Sequence, residues 1–397
     1  MNNIILLIIS FFIALTNLSS KPSYSMLSGN RCLNCHITPN GGGLRNQLGV
    51  YSKENTSLIN PESIGLKNFV SSFKSLQEIA AEEHSFFFGL DSRFQSLKWG
   101  AGSDRFKIFD RKIFMMQLTP YLAYYPLEWM SVNAQYNLAE LTGNLYRAQK
   151  SWSAGINIQP DFDYPMLRFG FIQPSIGGRH DDHTLLIRQT AGQFGAYPYL
   201  PPDYTEWGAE MSYNYYKWFS ATVGAFMSQS MSENIVKNKD NTNIPLVGKN
   251  IIFKLARLEF FPRFFDGMLN LNFGGSYYTG GDFNMFNFFF NAGITDKIAL
   301  LAEYATTNKN ELRTTDNFLI ELDYQVIPSI ILFARAEKAY TKEILSETLN
   351  WTTYQYVVGA NIYLLPYLDI KPEYRIYDRA HVKSSTAQYT LQIHFYF

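Results

Sequence analysis

Leu368-Asp369-Ile370-Lys371-Pro372-Glu373-Tyr374-Arg375 is the stretch that decides the fold. Leu368, Ile370 and Tyr374 fall on one side of it; Asp369, Lys371, Glu373 and Arg375 fall on the other. A side-chain period of two belongs to an extended strand, not a helix. Charges facing one way and apolar groups the other place water on one side and a nonpolar medium on the other. The same grammar runs through Phe318 to Val326, where Phe318, Ile320, Leu322, Tyr324 and Val326 oppose Glu321, Asp323 and Gln325. It recurs in Trp129 to Leu138, with Met130, Val132, Ala134, Tyr136 and Leu138 opposite Ser131, Asn133, Gln135 and Asn137.

Working outward, segments of about ten such residues separated by turns fill the chain from 84 to 397, the pattern of a transmembrane antiparallel β-barrel. Candidate strands begin near residues 84, 112, 129, 150, 165, 204, 217, 250, 267, 283, 297, 316, 329, 351, 367 and 387. That is about 16 strands, within a range of 14–18, and bacterial barrels use even numbers. Ile251 to Phe260 alternates poorly, with Lys254 and Arg257 on opposite faces. Short connections fall near Tyr125 to Glu128, Asp163 to Pro165, Tyr216-Lys217, Pro262 to Phe264, Thr295-Asp296, Pro328 and Pro366. Longer ones fall near 96–111, 140–149, 175–203, 231–249, 307–315, 339–349 and 376–386. Short periplasmic turns alternating with longer external loops put both chain ends of the barrel on the periplasmic side. The chain closes on Tyr389, Leu391, Ile393, Phe395 and Phe397, an alternation ending in a terminal Phe.

Composition agrees. Among 397 residues, 27 are Tyr and 32 Phe, and charged residues are only 17%. Aromatic girdles and an apolar outer band need that load. Lys+Arg and Asp+Glu both total 34, so no net field recruits nucleic acid. Ile4 to Leu15 is an apolar run followed by Ser23-Tyr24-Ser25, the shape of a signal peptide over 1–25 with a small-residue cleavage site. Its n-region holds no Lys or Arg.

Both cysteines follow directly, in Cys32-Leu33-Asn34-Cys35-His36. This is the C-x-x-C-H motif of covalent c-type haem attachment. Two thiols one helical turn apart add to the two vinyl groups of one haem, and the adjacent imidazole is the proximal iron ligand. A thioredoxin-like disulfide or half a zinc site would use the same two cysteines, but neither asks for the histidine. Met26, His84 and His394 are candidate distal ligands. Asn60-Pro61-Glu62 reads as N-cap, first position and first-turn acid of a helix running to about Ala81. Residues 26–83 thus form a small, mostly helical haem unit, too short to bury a core without its cofactor.

A short monohaem unit ahead of a porin-sized barrel resembles the fused monohaem cytochrome–porins of the outer membrane, over about 26–397. The resemblance rests on Cys32-Leu33-Asn34-Cys35-His36 and on the architecture. The following Ile37-Thr38-Pro39-Asn40-Gly41-Gly42-Gly43 departs from the iron-oxidising members, so it extends to the arrangement and not to iron as donor. It implies one haem c on Cys32 and Cys35 with His36 on the iron. It further implies electron traffic across the outer membrane, between a periplasmic electron carrier and an extracellular redox donor or acceptor. Likeness to porins also implies that the third long loop, 175–203, folds into the lumen. That loop carries His180, Asp181, Asp182 and His183, a set able to hold a first-row metal or simply to be solvated. Its aromatics Phe194, Tyr197, Tyr199 and Tyr204 also fit a girdle.

Two other classes remain. A passive solute-diffusing porin with a structural or sensory haem would use the mixed lumen charges Arg168, Glu303, Glu321, Asp323, Arg335, Glu337, Asp369, Lys371, Glu373 and Arg375. A haem-dependent reductase or peroxidase would need an open distal position on the iron. The sequence shows no triad, phosphate loop or paired acid and base, so electron transfer is expected ahead of catalysis. One haem at one rim cannot by itself serve both faces of a hydrocarbon layer about 30 Å thick.

Overall fold

The computed structural model describes residues 22–29, 31–32, 36, 57–68, 70–72, 85–100, 110–139, 152–161, 163–178, 185–192, 195–200, 204–344, 348–380 and 384–396. Its first strands are β1 Phe86–Gly100, β2 Asp110–Leu127, β3 Met130–Tyr136, β4 Trp152–Ile158 and β5 Met166–Ile172. Two small hairpins interrupt the series: β6 Gln189–Gly192 with β7 Gly195–Pro198, and β10 Ile235–Lys237 with β11 Asn243–Pro245. Between and after them run β8 Glu206–Tyr213, β9 Phe219–Phe226, β12 Phe253–Phe260 and the stub β13 Arg263–Phe264. The series continues with β14 Leu269–Gly280, β15 Phe283–Ile294, β16 Ile298–Lys309 and β17 Arg313–Ile327. It ends with β18 Ile330–Ile344, β19 Thr348–Leu365, β20 Leu368–Arg379 and β21 Ser384–Tyr396.

The main sheet holds seventeen strands; setting aside β13, which pairs only with the start of β14, sixteen staves remain. Every stave is antiparallel to its neighbours, and β1 pairs with β21 from Asp91↔Tyr396 to Gly100↔Ala387. That last ladder closes the sheet and leaves no edge strand. The expected strand starts and the observed ones agree within about three residues because period-two alternation sets both face and register.

Side chains sort by face as the alternation requires. Phe318, Ile320, Leu322 and Tyr324 of β17, Leu332 of β18, Val358 of β19 and Leu391 and Ile393 of β21 point outward and are exposed. Asp323, Arg335, Glu337, Gln355, Asp369, Lys371, Glu373 and Arg375 point inward and are buried. Exposed apolar groups around the whole circumference suit lipid, not water. Rings of Trp152, Phe171 and Trp207 cluster on the outer face near the long-loop end, with centroids 4.3–6.1 Å apart. Tyr213, Tyr216, Trp218, Phe219 and Phe260 form the matching group at the short-turn end.

The second half departs from the expected loop lengths. Connections expected as long near 307–315, 339–349 and 376–386 shrink to 310–312, 345–347 and 380–383, and the strands around them lengthen. Lys309 pairs with Arg313, and the Thr307 and Thr315 hydroxyls meet at 2.6 Å. Polar cross-strand pairs of this kind carry the ladder past the apolar band, where sequence composition reads as loop.

The helix expected from Asn60 to Ala81 is also shorter at its start. The Asn60 side chain accepts the Glu62 N–H at 3.0 Å, as an N-cap should, but Pro61–Ile64 is a single 3-10 turn. Gly65 ends it in the left-handed region (φ 75°), a position that suits a glycine C-cap. Helical backbone resumes at 67–68 and 70–72, and 69 and 73–84 lie outside the described residues.

Candidate functional site

The lumen wall is a mesh of paired charges. Arg335 donates to Glu337 at 2.7 Å and to Glu321 at 3.1 Å, and Lys371 lies 2.8 Å from Glu373. The Arg375 Nε–H donates to Glu373 at 2.8 Å, and Thr390 donates to the same carboxylate at 2.9 Å. Arg168 lies 2.5 Å from Glu210, and Arg257 lies 3.1 Å from Glu259. Period-two spacing places each partner two residues along the same strand or directly across from it, so the pairing follows from the register.

Against this wall lies the segment between β5 and β8. Ser175 donates its hydroxyl to Glu210 at 2.7 Å, and the Gly177 N–H donates to Ser276 Oγ at 2.9 Å. The Leu186 N–H donates to Glu337 at 2.6 Å, and the Ala191 N–H donates to Thr341 at 2.9 Å. Asn317 Nδ2 donates to the carbonyls of Leu186, Ile187 and Gln189. A loop whose backbone is satisfied by wall side chains on β14, β17 and β18 is a loop folded inward, as expected for 175–203.

What it encloses is apolar. Ile176, Leu185, Ile187, Tyr199, Leu200 and Tyr204 pack against inward-facing Phe226, Phe253, Leu255, Tyr278, Phe283 and Leu319. Met231, Val236, Leu246 and Val247, from the connection between β9 and β12, complete this core. Tyr199 and Tyr204 therefore sit inside the barrel, not in a girdle. The Tyr199 hydroxyl donates to the Ile187 carbonyl at 2.7 Å, and the Tyr204 and Tyr278 hydroxyls lie 3.0 Å apart. Burial pushes the phenols of Tyr199 and Tyr204 above their ordinary range. The poor alternation of 251–260 has its reason here: Phe253 and Leu255 face this core and Arg257 faces the polar lumen, while Lys254 points outward.

The short-turn mouth holds the N-terminal segment. Helix α1, Pro22–Ser28, sets Met26 and Leu27 against Ala299, Leu301, Ile331 and Tyr363 on the inner wall. Asn270 Nδ2 donates to the Met26 carbonyl at 3.2 Å. Arg31 then reaches the β8–β9 turn, donating to the carbonyls of Asn214 at 2.8 Å, Phe219 at 3.1 Å and Tyr216. Its guanidinium lies 4.5 Å from the centre of the Phe261 ring. Burial lowers its pKa, and Glu259 opposes that shift. Further on, the Leu58 and Ile59 N–H groups donate to the Tyr363 and Leu364 carbonyls at the end of β19. Around the sixteen staves, the β8–β9 turn lies between the sixth and seventh, and β19 is the fourteenth. The two anchors stand on opposite sides of the mouth.

No protein-family model and no curated protein matches the sequence. Solved structures do match by shape. OprB of Pseudomonas putida aligns with 82% of this chain and 97% of its own, at 10% identity and a TM-score of 0.53. A porin of Comamonas acidovorans described as anion-selective aligns with 79% and 99%, at 8% identity and a TM-score of 0.53. The outer-membrane channel DcaP of Acinetobacter baumannii aligns with 79% and 97%, at 11% identity and a TM-score of 0.50. The fold is that of an outer-membrane porin barrel. At such identities the likeness shows the fold alone.

The predicted site residues divide into three groups. Cys32 and His36 lie beside the Arg31 anchor, Cys32 half-buried and His36 only 2% exposed. The His36 N–H donates to the Cys32 carbonyl at 3.0 Å. Cys35, His84, His180, Asp181, Asp182 and His183 lie outside the described residues. Met26 and His394 are described and engaged elsewhere: Met26 in its apolar wall contact, His394 between Asp369 at 2.9 Å and Asp91 at 3.0 Å. Among the described residues no group of three or more His, Cys, Asp or Glu is arranged to hold a metal ion. Sequence reasoning missed Arg31, whose one local signal is a cation immediately before the first cysteine. It also missed the apolar lumen core, whose signal is apolar residues at inward positions of β9, β12, β14 and β15.

Proposed function

We propose that this chain is an outer-membrane electron-transfer protein carrying one haem c at the short-turn mouth of its barrel. Cys32 and Cys35 would hold the haem covalently, and His36 would be its proximal ligand. The observation that supports this is the 3.0 Å bond from the His36 N–H to the Cys32 carbonyl. This bond holds the two ends of the motif close together, as C-x-x-C-H attachment requires. The bound group supplies one-electron exchange. The chain's own part is to hold the motif at the mouth and to limit water there. The barrel wall meets lipid, and the short-turn side presents the motif to a periplasmic carrier. Met26 and His394 are engaged in other contacts, and the distal position of this reading is open to His84, which lies outside the described residues, or to water. An extracellular donor or acceptor would exchange electrons from the long-loop side.

The second reading is a passive porin whose haem is structural or sensory. The shape likeness to porins and the mixed lumen charges favour it. The apolar core inside the long-loop half weighs against a wide aqueous pore, because hydrophilic solutes do not pass through packed apolar groups.

Reconstitution in liposomes enclosing a redox dye tests the first reading. An external reductant should reduce the dye in intact vesicles with the wild type and fail to do so with His36→Ala. Equal reduction by His36→Ala sinks it. Solute-driven swelling at the rate of an open porin, with dye reduced only where it leaks, selects the second.

A further inference from the structure

Arg31 is the residue whose placement neither reading requires. A half-buried guanidinium with three backbone carbonyls as acceptors and an aromatic face beneath it is a built contact, not a stray surface charge. Only arginine offers a planar fork of five N–H donors that can serve several carbonyls while stacking on a ring. The acceptors are main-chain oxygens of one tight turn, whose positions the β8–β9 ladder fixes. Arg31 precedes Cys32 directly, their Cα atoms about 3.8 Å apart, so holding the Arg31 side chain at the turn limits how far the first attachment residue can move. Gly29 (φ 65°), two residues earlier, sits against the Asn270 side chain and turns the chain from α1 toward this anchor. The second anchor, Leu58-Ile59 on β19, lies across the mouth.

We propose that Arg31 is a positioning latch that holds Cys32 and His36 at the barrel mouth against the β8–β9 turn. The inference deepens the haem reading and rests on it for its redox readout, but the latch itself is a property of the polypeptide. Its charge and its exclusion of water both act on a group attached next to it: a nearby cation favours the reduced iron, and added solvent opposes it. Loss of the latch therefore lowers the midpoint potential.

The test uses the full chain purified in detergent, with Arg31→Gln, Arg31→Lys and Phe261→Leu beside the wild type. Covalent haem is read by haem staining after denaturing electrophoresis, and barrel folding by heat-modifiable migration. With haem present, Arg31→Gln should keep its stain and show a lower midpoint potential and an altered Soret band. Arg31→Lys should fall between it and the wild type. Phe261→Leu should shift the same way by less. A wild-type potential and spectrum in Arg31→Gln overturn the latch. Should the wild type carry no covalent haem, the haem reading fails on its own, and the latch is read from alkylation of the Cys32 thiol in a Cys35→Ser background. Arg31→Gln should then react at least about tenfold faster, as loss of two or more hydrogen bonds from a charged donor implies; an unchanged rate overturns the latch. If Arg31→Gln does not fold, Arg31→Lys and Phe261→Leu carry the same two readouts.

Discussion

Nδ1 of His394 lies 2.9 Å from Oδ2 of Asp369, and the same imidazole reaches Asp91 at 3.0 Å through Nε2. One side chain thus joins β20, β21 and β1, across the seam where the sheet closes. Replacing it by alanine leaves the buried Asp369 carboxylate and the half-buried Asp91, itself paired with Arg93, without the donor between them. His394→Ala should cost about 2–4 kcal/mol, the scale of breaking a buried polar pair. Urea unfolding monitored by heat-modifiable migration checks this. An unchanged midpoint would show that the seam closes without the triad.

Gly293 carries no side chain because the backbone of α1 occupies its place. A Cβ there would overlap the carbonyl of Met26. Gly293→Ala should expel the N-terminal helix while the β14–β15–β16 ladder persists. Limited proteolysis should then cleave near residues 26–32 in the variant and not in the wild type. Equal protection in both would mean that α1 does not dock on this wall.

Gly177 stands at the inward loop with φ 61°, and a Cβ would come within 2.6 Å of Asn287 Oδ1 and Glu303 Oε1. Both the left-handed backbone and the contact oppose a larger residue. Gly177→Ala should weaken the loop's hold on the wall by about 1–3 kcal/mol and raise ion conductance in planar bilayers. Conductance identical to the wild type would refute the loop as the lumen's obstruction.

The Tyr199 phenol is pushed above its ordinary range chiefly by burial. Its folded-state pKa therefore exceeds its unfolded one, near 10. The contribution to the inward state is complete below about pH 10 and is lost as pH rises beyond it. Proteolytic sensitivity of the 185–204 segment should climb above that pH. In Tyr199→Phe the step should shrink, and the segment should be looser at neutral pH by about 1 kcal/mol through the lost bond to Ile187. An identical pH profile in the two proteins would exclude Tyr199 as the group responsible.

Legibility in the sequence tracked how local the cause was. Leu368 to Arg375 announced its strand and faces because alternation is a property of neighbouring residues. So did Asn60, whose cap needs only Glu62 two residues away. Phe253, Leu255 and Tyr278 were opaque, since their apolar inward faces make sense only once a loop from 173–205 lies against them. Arg31 was opaque for the same reason, its acceptors lying 183–188 residues along the chain.

By itself the sequence determined the barrel, a count of about sixteen staves and the faces of strands such as 318–326 and 368–375, because the period of two and the turn residues are written locally. It also determined the C-x-x-C-H pattern, whose spacing is chemical. The tertiary structure alone decided that the long-loop half of the lumen is filled by an apolar core and that the N-terminal segment is anchored on both sides of the short-turn mouth. Those contacts join residues far apart in the chain, and closure of the sheet is what brings them to one lumen.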